Sequence, residues 1–176
     1  EAEVIYCPGK TDEQIVKIFT RLAAKEGNVL ATRATNEVFQ KVKAVFPEAC
    51  YYPLPRLIIL FQEQKPPLGL VAVLTAGTAD QAVAEEAALT LETMGSRVER
   101  YYDVGVAGIH RLLMHRKKIE AANVILVVAG MDGALASVVG GLTAKPIIAV
   151  PTSVGYGANF RGIAPLLTML NSCAGG

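Results

Sequence analysis

The stretch Asn123-Val-Ile-Leu-Val-Val-Ala129-Gly-Met-Asp-Gly133 decides the fold of this chain. No polar residue interrupts it between Val124 and Ala129, which is typical of a strand whose two faces are both covered. A short loop with two glycines and Asp132 follows, and residues 133–142 are predicted to form a helix. The pattern therefore predicts a buried parallel strand that passes through a polar loop into a helix.

The same alternation continues on both sides of this stretch. We predict strands at residues 70–75, 97–103 and 146–150, and helices at residues 79–94, 106–118 and 160–172. Strands that alternate with helices predict an α/β fold with a doubly wound parallel sheet, a three-layer arrangement of the flavodoxin/Rossmann-like kind. In such sheets, ligands bind beyond the carboxyl ends of the strands.

The first part of the chain is predicted to be a separate small α/β unit. It contains short strands at residues 4–6 and 28–32 and helices that begin near Thr11 and at Asn36, while the apolar run at residues 57–61 is of ambiguous type. Thr11 and Gln14 form a capping-box pattern, and we expect Gly27 to end the first helix. Gln64-Lys-Pro-Pro67 stops both helix and central strand, and 14 of the 16 glycines follow it. We therefore predict two domains, residues 1–66 and 67–176.

Composition excludes several classes of protein. With 52% hydrophobic and 19% charged residues among 176, the chain is not a disordered one. A formal net charge of +1 argues against a nucleic-acid partner. No apolar run is long enough to span a bilayer and no leader pattern is present, so we expect a cytoplasmic protein without a membrane partner. Three distant cysteines argue against a disulfide framework, and we expect Cys7 and Cys50 to be packing residues.

Four predicted strand ends are rich in Gly, Ser, Thr or Asp, at residues 75–80, 103–105, 129–133 and 151–157. In the first, the backbone amides near Gly77 and Thr78 favour phosphate. The alternative is an ordinary turn in which Thr78 and Gln81 form a capping box. In the third, Asp132 is either a catalytic acid/base or the N-cap of the next helix, and the residues alone favour the N-cap.

Two further side chains are candidates for chemistry. Cys173 could be a nucleophile if a positive charge or a helix terminus lowers its pKa, but a lone cysteine is more often a small buried hydrophobe. Arg111, next to His110, could hold a phosphate or a carboxylate, or could lie on a solvated face. No carboxylate or cysteine stands at ligand spacing from His110 and His115, so the histidines do not predict a metal site.

Taken together, these segments resemble the LarB family, the carboxylase/hydrolase of nickel-pincer nucleotide cofactor biosynthesis. The resemblance is carried by Thr75-Ala-Gly-Thr-Ala-Asp80, Asp103-Val-Gly-Val-Ala-Gly-Ile-His-Arg111, Ala129-Gly-Met-Asp-Gly-Ala134, Val150-Pro-Thr-Ser-Val-Gly-Tyr-Gly157 and Ile163-Ala-Pro-Leu-Leu-Thr-Met-Leu-Asn-Ser-Cys173. The first unit contributes Glu3-Val-Ile-Tyr-Cys7, Gly9-Lys-Thr11 and Asn28-Val-Leu-Ala-Thr-Arg33. More distantly, the second part is similar to PurE, the aminoimidazole ribonucleotide carboxylase/mutase, so a PurE-like fold is implied.

The resemblance implies a specific reaction. LarB enzymes carboxylate the pyridinium ring of nicotinic acid adenine dinucleotide with CO2 (or bicarbonate as its source) and cleave the phosphoanhydride, which gives AMP and pyridinium-3,5-biscarboxylic acid mononucleotide. Cys173 matches the cysteine that adds to the ring as a transient cysteinyl-pyridine adduct. Asp132 stands at the acid/base position, where the family usually has Glu. Mg2+ supports the hydrolysis, and no organic prosthetic group is implied.

Site residues follow from the same resemblance. Asp80 would contact ribose or the metal, and Arg111 a phosphate or carboxylate. The remaining expected substrate contacts are Gly77, Thr78, Asp103, His110, Gly130, Met131, Ser153, Gly155 and Tyr156, with Lys10 and Arg33 as phosphate contacts of the first unit. The family continues past Cys173, so we expect a truncated C-terminal tail, and PurE-like enzymes are homo-octamers whose sites are completed by neighbours.

Two other functions stay open at this point. A PurE-type carboxylase or mutase needs neither the first unit nor Cys173. A non-catalytic nucleotide-binding module would explain Asp132 in place of Glu, and Ala79 where the LarB family often has Ser.

Overall fold

The structure is a computed structural model that describes residues 3–63 and 66–174. The chain divides into two compact units, the first reaching to Pro67 and including Leu89–Gly95, the second comprising Leu68–Ala88 and the chain from Ser96 onward. The sequence predicted one boundary, between residues 66 and 67, and gave no indication that residues 89–95 belong to the first unit. Of the expected boundary segment, Gln64 and Lys65 lie outside the described residues, and the domain limits 1–66 and 67–176 stay a prediction.

The first unit is built on a mixed four-stranded sheet in the order β1-β2-β4-β3. Its elements are β1 (Val4–Tyr6), α1 (Asp12–Ala23), β2 (Val29–Thr32), α2 (Asn36–Val45), β3 (Cys50–Tyr52) and β4 (Leu57–Leu60). Strands β1 and β2 are parallel, whereas β4 is antiparallel to both β2 and β3. Both helices contribute buried side chains, such as Phe19 and Val42, to a core that includes Ile58 of β4.

Local sequence explains most of these elements. The capping box is present, since the Thr11 N–H donates to Gln14 Oε1 at 2.9 Å and the Gln14 N–H donates to Thr11 Oγ1 at 3.3 Å. The prediction that Gly27 ends α1 is wrong. The helix already ends at Ala23, because the Lys25 N–H turns back to the Leu22 carbonyl at 3.0 Å. The ambiguous run is the buried strand β4, and Cys50 is exposed on the edge strand β3 rather than packed.

The second unit contains a four-stranded parallel sheet in the order β6-β5-β7-β8, which confirms the predicted doubly wound α/β fold. Its elements are β5 (Leu68–Thr75), α3 (Gln81–Thr93), β6 (Ser96–Tyr101), α4 (Ile109–Ile119), β7 (Val124–Ala129), α5 (Ala134–Leu142), β8 (Ile147–Pro151) and α6 (Ile163–Leu170). The strand order reverses between β5 and β7, and the carboxyl ends of these two strands are where ligands bind in such sheets.

Three helices of this unit begin later than predicted. Short 3-10 turns precede α3, α4 and α6, at Thr78–Asp80, Val106–Gly108 and Gly157–Gly162. Phe160 and Arg161 have left-handed backbones (φ 49° and 56°), so the prediction of a helix from Phe160 is wrong. Among residues 3–63 and 66–174, no helix is long and apolar enough to cross a membrane.

Candidate functional site

The loops that follow β5, β6, β7 and β8 line a cavity of about 630 Å3. Its described lining residues all belong to the second unit: 76–80, 105–107, 129–132, Ala134, Leu135 and 154–156. A volume of this size is ample for a small-molecule ligand. The cavity therefore lies at the strand ends that the fold predicts, beside the reversal of strand order.

Glycines let these loops approach each other closely. A Cβ atom at Gly105 would lie 2.5 Å from the Ala76 carbonyl oxygen. A Cβ atom at Gly130 would lie 2.6 Å from Thr152 Oγ1 and would also collide with the Val154 carbonyl oxygen. Real Cβ atoms do not occupy such positions, so glycine is required where the loops meet.

The first loop is organised around the carboxylate of Asp80, which is 3% exposed. Asp80 Oδ2 accepts the Gly77 N–H at 3.1 Å, and Oδ1 accepts the Thr152 hydroxyl at 2.7 Å. The N-cap residue is thus Gly77, and the alternative in which Thr78 and Gln81 form a capping box is wrong, because Asp80 makes the side-chain bond to the N-cap backbone instead. The first N–H groups of a helix have no hydrogen-bond partners within the helix. Residues 77–79 lie at the start of this helical turn and line the cavity.

The surroundings of Asp80 do not fit a magnesium ligand. Both carboxylate oxygens already accept hydrogen bonds from the protein. Within the part of the chain that the structure describes, no group of three or more His, Cys, Asp or Glu side chains could hold a metal ion. Mg2+ in proteins is usually bound by one or two carboxylates together with waters and substrate phosphates, and the one carboxylate of this loop is already bonded to Gly77 and Thr152. Asp80 instead links the first loop to the fourth loop through its hydrogen bonds to Gly77 and Thr152.

The third loop is a tight turn from Gly130 to Gly133, closed by the Gly133 N–H to the Gly130 carbonyl at 2.9 Å. Met131 within it has a left-handed backbone, with φ of 54°. Asp132 is exposed, lines the cavity, and accepts the Ala134 N–H at Oδ1 at 3.1 Å. Gly133, and not Asp132, is the N-cap of α5, so the alternative in which Asp132 is the N-cap is not what the structure shows.

The second loop is held by Arg111, whose side chain is not among the described lining residues. The Arg111 Nε donates to the Asp103 carbonyl at 2.5 Å, and its Nη2 lies 3.5 Å from Asp103 Oδ1. A Cβ atom at Gly108 would meet the guanidinium at 2.6 Å. Arg111 and Asp103 thus shape residues 105–107, which do line the cavity, while His110 is exposed and lies outside it.

The fourth loop contributes Gly155 and Tyr156 to the cavity, whereas the exposed Ser153 is not among its lining residues. Cys173 is also exposed and is not among them. Its neighbours lie along α5 beyond the end that lines the cavity. The Ser137 hydroxyl donates to Ser172 Oγ at 2.9 Å, and a Cβ atom at Gly140 would be 2.6 Å from Ala174 Cβ. Cys173 is therefore outside the set of residues that line the cavity with Asp132 in this structure.

Lys10 and Arg33 belong to the first unit, at the carboxyl ends of β1 and β2. Lys10 Nζ donates to the Tyr6 carbonyl at 2.7 Å, and the Arg33 carbonyl accepts from Arg56 Nη2 at 3.2 Å.

Burial raises the pKa of the Cys7 thiol, although the positive charges of Lys10 and Arg56 act in the opposite direction. A reactive thiolate at Cys7 is therefore disfavoured.

Sequence reasoning did not select two buried polar residues that hold the cavity walls, Thr152 and Asn159, each 5% exposed. Thr152 donates to Asp80, as described above, and Asn159 Nδ2 donates to the Met131 carbonyl at 2.9 Å. Thr152 stands inside a loop that the sequence had marked, but one hydroxyl among several polar residues gives no separate signal. Asn159 directly precedes a predicted helix, and its hydrogen-bond partners become apparent only in the folded structure.

Comparison with known proteins agrees with this architecture. Residues 1–63 match a family model described as the LarB/PurE-like N-terminal domain, and residues 70–176 match the AIR carboxylase family model. A protein of Methanocaldococcus jannaschii, described as uncharacterized, is 40% identical over 188 residues, which cover 99% of this chain and 70% of that protein. These matches confirm the resemblance to LarB and PurE and the PurE-like fold, and they support a carboxylase-related enzyme. The chain therefore belongs to the PurE-like AIR carboxylase family and contains, in addition, the LarB/PurE-like N-terminal domain.

Proposed function

We propose that the protein carboxylates the pyridinium ring of nicotinic acid adenine dinucleotide with CO2 and cleaves its phosphoanhydride, giving pyridinium-3,5-biscarboxylic acid mononucleotide and AMP in nickel-pincer cofactor biosynthesis. The observation that carries the proposal is a single cavity lined by both the amide-rich end of the first loop and the Asp132 carboxylate. The LarB/PurE-like N-terminal domain beside an AIR carboxylase domain supports this choice over other carboxylations.

The phosphates of the dinucleotide are assigned to the first loop. The N–H groups of Thr78 and Ala79 lie at the beginning of a helical turn that lines the cavity, and N–H groups at such a position bind phosphate oxygens, whereas the Gly77 N–H is already bonded to Asp80. The same donors stabilise the charge that develops on those oxygens when water cleaves the phosphoanhydride. The residues at Asp80 do not fit a Mg2+ site, so cleavage of the phosphoanhydride is assigned to the N–H donors of the first loop without a protein-held metal.

The carboxylation needs a nucleophile, because a cationic pyridinium ring will not attack CO2. Addition of the Cys173 thiolate gives a neutral dihydropyridine, and a ring carbon of this enamine then forms the new bond to CO2. A carboxylate at Asp132 takes the proton from the new tetrahedral carbon, and expulsion of the thiolate restores the aromatic ring. The thiolate is regenerated, so the cysteine is a true catalyst.

In one chain, Cys173 does not line the cavity that contains Asp132. The proposal therefore includes assembly: in a homo-octamer, the thiol of one copy enters the cavity of another. Cys173 is exposed and follows the end of α6, which is compatible with entry of its thiol into the cavity of a neighbouring copy.

Mass spectrometry of the products tests the reaction. The purified protein is incubated with the dinucleotide, 13C-labelled bicarbonate and Mg2+, beside the variants Cys173→Ala and Asp132→Asn. We expect AMP and a mononucleotide with one added 13C carboxylate from the wild type, and no carboxylated product from either variant. A folded wild type that binds the dinucleotide without product formation would contradict the catalytic proposal and favour a nucleotide-binding module.

Mixing the two inactive variants tests whether the thiol comes from a second copy. Co-expression of Cys173→Ala and Asp132→Asn creates mixed assemblies in which an intact Cys173 can meet an intact Asp132 on different chains. We expect carboxylation to return in the mixture, whereas each variant alone stays inactive. No recovery in assemblies proven to be mixed would place both groups in the same chain.

The match of residues 70–176 to AIR carboxylase supports one second candidate, a PurE-type carboxylase or mutase. That reaction does not require Cys173. Conversion of aminoimidazole ribonucleotide that is equal in the wild type and in Cys173→Ala would favour this candidate over the dinucleotide reaction.

A further inference from the structure

We propose that Asn159 is the positioning residue of the acid/base group, because its buried side chain fixes the peptide bond between Met131 and Asp132. The inference rests on the proposed role of Asp132. It adds Asn159, a residue that does not line the cavity and that lies 28 positions after Met131 in the sequence.

The amide group of Asn159 is fully used inside the protein. Its Nδ2 donates to the Met131 carbonyl at 2.9 Å and approaches the Val154 carbonyl at 3.4 Å, while its Oδ1 accepts the Gly162 N–H at 2.9 Å. Asn159 is 5% exposed, so these contacts are not exchanged for bonds to bulk water. A different side chain at position 159 could replace Asn159 only if it carried a donor that reached the Met131 carbonyl.

The carbonyl that Asn159 holds belongs to a strained residue. Met131 has φ of 54°, a left-handed conformation that is unfavourable for a residue with a side chain. The Met131 N–H is also fixed, since it donates to the Val154 carbonyl at 2.8 Å. With its N–H and its C=O both held by the fourth loop, Met131 keeps a conformation that it would otherwise leave.

The orientation of this peptide determines where the Asp132 carboxylate lies. The carbonyl of Met131 and the N–H of Asp132 are parts of one planar unit. Rotation of that plane moves the Asp132 side chain and breaks the bond from the Ala134 N–H to Asp132 Oδ1. A displacement of about 1 Å at an acid/base group lowers the rate by roughly a hundredfold.

Kinetics of Asn159→Asp test the proposal, because aspartate can still accept the Gly162 N–H but cannot donate to the Met131 carbonyl. We expect kcat for carboxylation to fall by roughly a hundredfold, while KM for the dinucleotide changes little, since the first loop is untouched. Asn159→Ser, which is neutral and too short to reach Met131, serves in the same way if the aspartate variant does not fold.

Asn123→Ala is the matched control. Asn123 also uses its side chain structurally, accepting the Leu70 N–H at 2.8 Å, but it precedes β7 at the opposite end of the sheet. We expect this variant to lose stability and to retain kcat. A kcat that falls in Asn123→Ala as much as in Asn159→Asp, in proportion to the loss of stability of each variant, would overturn the positioning role.

Hydrogen exchange of the Ala134 amide gives a readout that needs no substrate. In the wild type this amide is bonded to Asp132, and we expect its protection to fall at least tenfold in Asn159→Asp and to stay unchanged in Asn123→Ala. Unchanged protection in Asn159→Asp would overturn the inference. If the wild type proves inactive toward the dinucleotide, the proposed function fails, and the exchange result still decides whether Asn159 holds the turn.

Discussion

Gly130 lies where the third and fourth loops touch, and a methyl group there has no room. Its Cβ would meet Thr152 Oγ1 at 2.6 Å and the Val154 carbonyl. We expect Gly130→Ala to lower the free energy of unfolding by about 1 to 3 kcal/mol and to weaken dinucleotide binding. The matched control is Gly141→Ala on α5, where the space is open and alanine should add about 0.5 to 1 kcal/mol. Urea unfolding measures both, and an unaffected Gly130→Ala would show that the loops move apart easily.

Tyr101 makes the stability of the second unit depend on pH in alkaline solution. Burial and the bond from its hydroxyl to Glu99 Oε2 (2.6 Å) raise its pKa to about 12. A phenol whose pKa is raised by folding stabilises the protein fully below about pH 10, the value in the unfolded chain, and this contribution is lost as the pH rises through 12. Two pKa units correspond to about 2 to 3 kcal/mol.

We therefore expect Tyr101→Phe to flatten the decline of the melting temperature between pH 10 and 12. The flattening is partial, since burial and Glu85 also raise the pKa of Tyr102. Tyr156→Phe is the control, because Tyr156 is 81% exposed. Equal alkaline slopes in the wild type and in Tyr101→Phe would contradict the assignment.

The residues of the cavity were predictable to the extent that topology alone places them. Gly77, Asp132 and Gly155 follow parallel strands, and the carboxyl ends of such strands meet at one edge of a sheet, so their convergence needs no side-chain detail. Asn159 was not predictable, because its role depends on bonds to Met131 made only after the fold forms. The position of Cys173 beside α5 likewise depends on helix packing that composition does not encode.

At the scale of elements, helix α1 tests how far local signals contribute to stability. Thr11 and Gln14 satisfy each other's backbone N–H groups, which would otherwise lack partners. We expect Thr11→Ala to cost about 1 kcal/mol of unfolding free energy. Thr20→Ala on the same helix is the control: its hydroxyl only bonds back to the Val16 carbonyl, so alanine should be neutral or slightly stabilising. Equal losses in the two variants would show that the capping box contributes nothing particular.

Prediction of elements succeeded where burial is continuous and failed where the backbone departs from regular structure. Strands β5 and β7 are largely apolar runs that the sequence indicates clearly as buried strands. The edge strand β3 has only three residues, too few to show a hydrophobic period. The turns that precede α3, α4 and α6 use the residue types of a helix start, so the sequence placed these helices one turn too early. The left-handed Phe160 and Arg161 carry no sequence signal, because non-glycine residues rarely adopt that conformation.

At the scale of the whole molecule, the second unit leaves an apolar helix face open. Ile163, Leu167 and Leu170 of α6 are 54%, 52% and 73% exposed, and Ile148 on the edge strand β8 is 53% exposed. Ile163, Leu167 and Leu170 recur at helical spacing, and exposed apolar side chains on one helix face are typical of an interaction site. This agrees with the proposed assembly, in which copies of the chain bury the α6 face and exchange Cys173.

A charge placed on α6 should therefore separate assembly from folding. We expect Leu170→Glu to shift the protein to smaller species in analytical ultracentrifugation, because burying an unpaired carboxylate in an interface is unfavourable, while the melting temperature of the separated chain changes little. Carboxylation should fall with the assembly, since Cys173 then has no second cavity to enter. Met114→Glu is the matched control, as Met114 on α4 is 78% exposed and lies outside the α6 face. Intact assembly in Leu170→Glu, or intact activity in its dissociated form, would contradict a site that is completed between copies.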